Sequence, residues 1–188
     1  PVDHLWPATI EWAGRRQVAA VAERARLLGL PVGVLAETTA SAPVVRRHGN
    51  RNPFQDYGRL LVVDLSSMWA GPLCGQLLAR AGATVIKVES PSRPDGTRQG
   101  ERRFFDWMNA GKLCYATDFG QPAELRQLLS VADVVIESSR PDALVHRGLG
   151  PEDVPARDGR VWLRVTGHGT EGAHANWVGF GDDAAVSG

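Results

Sequence analysis

Five short apolar runs, at residues 60–65, 84–88, 113–117, 134–137 and 161–165, limit what this chain can fold into more than any other feature. Helical patterns lie between them at residues 72–80 and 122–129, each with a proline in its first turn (Pro72, Pro122), where the missing N–H costs nothing. Strand and helix patterns that alternate in this way predict an α/β layer sandwich with a mainly parallel sheet. The runs are continuously apolar, which predicts strands buried on both faces.

At 188 residues the chain is long enough for one medium domain, or one domain plus a flanking piece. Its 21 Lys and Arg balance 21 Asp and Glu, so no global field recruits nucleic acid or a membrane, and the expected partner is small. Cys74 and Cys114 have no CxxC spacing, and no stretch reads as a secretory core or a spanning helix. A reducing, cytoplasmic setting is expected. His4, His48 and His174 show no metal-ligand spacing, and no metal is expected. Pro1 in place of Met implies a processed or trimmed product.

Three textures divide the chain: residues 1–57, 58–150 and 151–188. In the first, Val18, Val21, Ala22, Ala25 and Leu28 recur at spacings of three and four, predicting one amphipathic helix over residues 10–28 that stops at Gly29. Residues 30–35 read as a short strand entered at Pro31. Residues 36–57 have the composition of a linker, which places a boundary near Tyr57.

Chemistry enters at Ser66-Ser67-Met68-Trp69-Ala70-Gly71-Pro72, where the first strand meets the first helix. Free N–H groups and the helix dipole favour an anion there. The turn is neither a GxGxxG nor a GxxxxGKS/T, so an ordinary strand-to-helix turn is the alternative reading. Trp69 is either a core plug or a stacking platform. Lys87 and Glu89 share parity on the second strand and are expected at its carboxyl end, facing a ligand or forming a solvated ion pair. The following loop carries Arg93, Arg98, Arg102 and Arg103, which can neutralise phosphates by forked hydrogen bonds or simply face solvent. Residues 104–109 re-enter the fold and are expected as core, with an aromatic cage as the alternative, and Lys112 either reaches the same edge or faces water.

The blocks "VVDLSSMWAGPLCGQLLARAGATVIKVES", "GTRQG", "FFDWMNAGKLCYATDF", "ADVVIESSRPDAL…GLG", "VTGHGTEG" and "DDAAVSG" follow one another over residues 59–188. In that order they resemble the class III CoA-transferases, the CaiB/BaiF family, whose relatives include formyl-CoA transferase, carnitine CoA-transferase and α-methylacyl-CoA racemase. The resemblance implies a Rossmann-like large domain with a small domain, a homodimer of interlocked subunits, and acyl-CoA and a carboxylic acid as substrates. Residues 58–188 would be the CoA-binding large domain. Residues 1–57 would be a linker and a helix-plus-strand segment resembling the small domain, with "ARLLGLPVGV" at residues 25–34 carrying that likeness.

Carried over by position, the resemblance implies that Trp69 and Ala70 line the CoA site, and that Ser90, Arg93 and Arg98 approach the phosphates. Thr117, Asp118, Phe119 and Gly120 would flank the adenine. Ser138, Ser139 and Arg140 would border the pantetheine path, with His146 where the family often has an arginine. Ser90, Gly120 and the Ser138-Ser139 pair depart from the family's usual residues. The transfer runs through a mixed anhydride and an aspartyl-CoA thioester, and the resemblance places the nucleophilic aspartate beyond Gly188. Asp182 and Asp183 do not match that place and read as capping or solvated acids. The racemase's Gly-His-Asp is absent from Gly179-Phe180-Gly181-Asp182. His168, in Gly167-His168-Gly169, reads as a polar lining or a turn residue. A racemase, or a catalytically silent CoA-binding or dimerisation partner, are the alternatives.

Overall fold

The apolar runs form five strands, β1 (Leu61–Asp64), β2 (Thr84–Glu89), β3 (Leu113–Ala116), β4 (Val134–Glu137) and β5 (Val161–Arg164). The helices are α1 (Leu5–Gly14), α2 (Val18–Leu27), α3 (Ala70–Arg80), α4 (Arg102–Asn109), α5 (Ala123–Val131), α6 (Pro141–Val145) and α7 (Gly181–Ser187). The computed structural model describes residues 5–39, 41–53 and 56–188, so His4 lies outside the described residues. Two compact units result, one of residues up to Val44 together with Gly167–Gly188, the other of Val45–Thr166.

In the second unit the strands make one sheet in the order β3-β2-β1-β4-β5, with every neighbouring pair parallel. Alternate side chains go to opposite faces. Val62, Val85 and Ile136 meet Cys74, Leu78 and Ala79 of α3 on one face, while Val63, Val88 and Val135 meet Leu125 and Leu129 of α5 and Leu144 of α6 on the other. Leu125 and Leu129 are fully buried, each stabilising the unit by about 1.5–3 kcal/mol. Burial on both faces holds for the central strands β1 and β4. It fails for β3 and β5, where Leu113, Val161 and Leu163 are exposed, because an outer strand has a neighbour on one side only.

In the first unit the expected single helix over 10–28 is two helices. Gly14, a poor helix former, ends α1, and a turn closed by the Arg16 N–H on the Ala13 carbonyl (3.0 Å) precedes α2. Gly29 ends α2 as the sequence predicts: its φ is +71°, its N–H donates to the Arg26 carbonyl (2.9 Å), and Leu30 N–H donates to the Ala25 carbonyl (3.0 Å). The strand expected over 30–35 does not form. Pro31 offers no donor, the Glu37 carboxylate takes the Val34 N–H (3.3 Å), and the Thr38 N–H and hydroxyl donate to the Ser187 carbonyl (2.8 and 3.0 Å), so this segment's backbone bonds go to a turn and to the end of α7.

Candidate functional site

A parallel sheet with helical crossovers puts every strand-to-helix turn at its carboxyl edge. The strand order reverses between β1 and β4, and ligands of open α/β sheets bind in the crevice outside such a reversal. The turns leaving these two strands touch there, since the Ser67 N–H donates to Ser138 Oγ (2.9 Å).

Beneath the β1-to-α3 turn lie four charged side chains, all fully buried. Lys112 Nζ donates to Asp64 Oδ2 (2.7 Å), to the Pro72 carbonyl (2.8 Å) and to Asn109 Oδ1 (3.0 Å). Lys87 Nζ donates to Asp95 Oδ2 (2.9 Å) and to the Ser66 carbonyl. Asp64 Oδ1 accepts the Ser66 N–H (3.0 Å) and hydroxyl. Asp95 Oδ1 accepts from Met68 N–H (3.2 Å), Thr97 N–H (3.0 Å) and Thr97 Oγ1 (2.8 Å). Two lysines and two aspartates balance, as buried charges must. Burial pushes the Lys112 ammonium below its usual value, against the opposing pull of Asp64. For Asp95, burial pushes upward, but the hydrogen bonds from Lys87 and Thr97 outweigh it and hold the carboxyl below its ordinary range. Burial also raises the Cys74 thiol, assisted by the Asp64 charge.

The turn above this cluster is conformationally unusual. Met68 has φ +75°, a left-handed value that side chains bearing a Cβ seldom adopt. Trp69 follows as the N-cap of α3 with no side-chain cap, and Pro72 contributes no N–H, so this helix start is not closed by its own residues. Trp69 is 62% exposed and packs edge-on against Phe104, which in turn leans on the exposed Trp107 of α4. Helix α3 sits this close to β1 because it presents glycine. A Cβ on Gly71 would overlap the Ser66 side chain, and one on Gly75 would stand 2.9 Å from Asp64 Oδ2 and 3.2 Å from Lys112 Nζ.

The residues singled out from the sequence are distributed along this edge. Trp69 and Ala70 follow β1, and Ser90 and Arg93 form a tight bridge after β2, with the Arg93 N–H donating to the Ser90 carbonyl (3.0 Å). Thr117 continues β3 by donating to the Glu89 carbonyl (3.0 Å), Asp118 accepts from Gly120 N–H (2.8 Å), and Phe119 is partly buried against the core. Ser138, Ser139 and Arg140 follow β4, and His146 caps α6 on the surface. Lys87 and Glu89 do not pair with each other in solvent. Lys87 is buried on Asp95, and Glu89 holds Arg98 through Nη2 (2.6 Å) and Nε (3.0 Å), with that guanidinium 4.0 Å above the Phe105 ring. Burial raises the Glu89 carboxyl, and the Arg98 hydrogen bonds and charge bring it to a net value below the ordinary one. Lys112 takes the inward of its two readings. In the first unit Asp183 accepts from Phe180 N–H (2.9 Å) as a helix cap, Asp182 is exposed, and His168 lies edge-on to Trp177.

Sequence reading missed Asp64, Asp95 and Asn109 as partners. The signal was present in Asp64, a carboxylate closing an apolar strand, since such a charge requires a buried cation.

The family model described as CoA-transferase family III matches residues 59–188. The succinyl-CoA–D-citramalate CoA-transferase of Chloroflexus aurantiacus is 36% identical, over 64% of this chain and 33% of its own length. The succinate–glutarate CoA-transferase of Agrobacterium fabrum is 34% identical, over 70% and 36%. A crystal structure of the Mycobacterium tuberculosis protein Rv3272 superposes with a TM-score of 0.60 at 34% identity, over 69% of this chain and 38% of that one. The chain thus spans about a third of the length of the curated relatives it matches.

Proposed function

The chain belongs to CoA-transferase family III, and from that premise we propose that its β-sheet unit is the CoA-binding part of an enzyme moving CoA from an acyl-CoA to a carboxylic acid. The observation that carries the reading is the turn at residues 66–72, set at the strand-order reversal with an uncapped helix start and an exposed Trp69. In this reading the α3 N-terminus and the Ser90 to Arg98 loop receive the phosphates. Thr117, Asp118, Phe119 and Gly120 lie toward the adenine, and Ser138, Ser139, Arg140 and His146 toward the pantetheine arm.

Transfer begins when a carboxylate attacks the thioester carbonyl, giving an anhydride and CoA thiolate. The thiolate then attacks the enzyme's side of the anhydride, releasing the first acid and leaving an aspartyl-CoA thioester that the acceptor acid reopens by the reverse steps. Asp64, Asp95 and Glu89 are bound to cations and serve as supports. The nucleophile is an aspartate outside this edge, as the resemblance implies. A homodimer in the cytoplasm is part of the same proposal.

Succinyl-CoA is the first donor to assay, because two of the relatives are named for succinyl or succinate transfer. The whole protein, given succinyl-CoA and a labelled dicarboxylic acid, should move CoA to the label, with a CoA thioester on an aspartate trapped at early times. Exchange of the α-proton without CoA transfer would instead mark a racemase. Saturable CoA binding with neither reaction would mark a silent CoA-binding partner.

A further inference from the structure

We propose that the buried Lys87–Asp95 pair sets the conformation of the β1-to-α3 turn and so acts as a positioning device for it; only the identity of the ligand rests on the CoA reading above. The pair grips both sides of one short backbone stretch. Lys87 holds the Ser66 carbonyl from below, while Asp95 holds the Met68 N–H and, through its other oxygen, the lysine itself. Ser138 fixes the Ser67 N–H between them. Four backbone groups between Ser66 and Met68, the three N–H groups and the Ser66 carbonyl, are thereby tied to side chains of β1, of β2 with its following loop, and of the segment after β4.

That grip explains a feature otherwise unfavourable. Met68 carries a long side chain at φ +75° and is 45% exposed, so its side chain is only partly packed, and the backbone bonds to Lys87, Ser138 and Asp95 hold the conformation. Strained backbone of this kind persists where the surroundings over-determine it. Its result is a reversal of the chain that turns Trp69 outward to begin α3. Asp95 is itself fixed, by Thr97 on one oxygen and by its own N–H bonded to Glu89 Oε1 (2.8 Å). The line Arg98–Glu89–Asp95–Lys87 therefore connects the exposed arginine loop to the turn. Arg98 is a support in this arrangement, whatever else it touches.

The test replaces the pair together, Lys87→Met with Asp95→Leu, so that no unpaired charge stays buried. Met68 is then examined by NMR for the strong intraresidue HN–Hα contact that a positive φ produces. The contact should be lost, and CoA affinity should fall by about tenfold or more. Adding Met68→Gly should restore affinity to within about threefold, because glycine adopts a positive φ without strain. A purely structural role would not respond to position 68. In the unaltered protein the Met68 amide should exchange slowly despite its exposed residue, a readout that needs no variant to fold. A positive φ and parental affinity in the paired variant would overturn the proposal, as would a Met68 amide exchanging as fast as those of the exposed loop. If the parent fails to bind CoA while Met68 behaves as stated, the ligand reading fails and the positioning role stands.

Discussion

At the amino edge of the sheet, Asp133 accepts the Leu61 N–H through one oxygen (2.9 Å) and Arg157 through the other (2.8 Å). Arg160 donates to the carbonyls of Ser130 (2.6 Å), Pro155 (2.9 Å) and Ala132 (3.1 Å). At the carboxyl edge the same kinds of group behave differently. Asp64, Lys87, Asp95 and Lys112 are wholly buried and hold a strained turn, and the helix start above them has no side-chain cap. The amino edge uses a partly exposed ion pair and arginine-to-carbonyl bonds to seal strand ends, while the carboxyl edge uses buried ion pairs to hold the backbone of a strained turn. Buried pairs are costly to assemble and costlier to break, so the two edges should respond to substitution on different scales.

The largest effect is expected from Lys112→Met, which leaves Asp64 buried without its cation and should destabilise by about 3–5 kcal/mol in urea unfolding. Adding Asp64→Leu should recover at least half of that loss, and no recovery would mean that the cost lies in packing. Next comes Gly75→Ala, whose methyl meets the same pair at 2.9 and 3.2 Å and should cost about 1–3 kcal/mol.

Acid exposes a third difference. Asp95 and Glu89 hold their protons more weakly when folded than their ordinary values of 3.8 and 4.5, so the unfolded chain binds more protons on acidification. The stability they contribute is complete above those values and is lost as pH falls through the lowered folded ones. Asp95→Asn should flatten that acid limb, measured as unfolding midpoint against pH. The smallest effect belongs to the amino edge, where Arg157→Ala breaks a pair whose arginine is 44% exposed and should cost less than about 1 kcal/mol.

Much of this arrangement is legible in the sequence. The apolar runs mark all five strands, and their alternation with helices is enough to gather residues as distant as Trp69, Ser90, Thr117 and Ser138 along one edge. Partner choice is not legible. Parity puts Lys87 and Glu89 on one face, but the long lysine stem reaches a loop aspartate eight positions on, and Glu89 is taken by Arg98. The exposed faces of β3 and β5 depend on strand order, which composition does not reveal. The strand expected at Pro31 fails for a related reason, since apolar residues without a ladder partner settle into a turn.

The most direct measurement is a CoA titration of the chain followed residue by residue through backbone amide shifts. The account predicts saturation with a dissociation constant of about 1 mM or tighter, about −4 kcal/mol, with the largest changes in residues 66–73 and 138–140 and little at Asp133 or Arg157. Absence of saturation in that range, or changes centred on the amino edge, would contradict it.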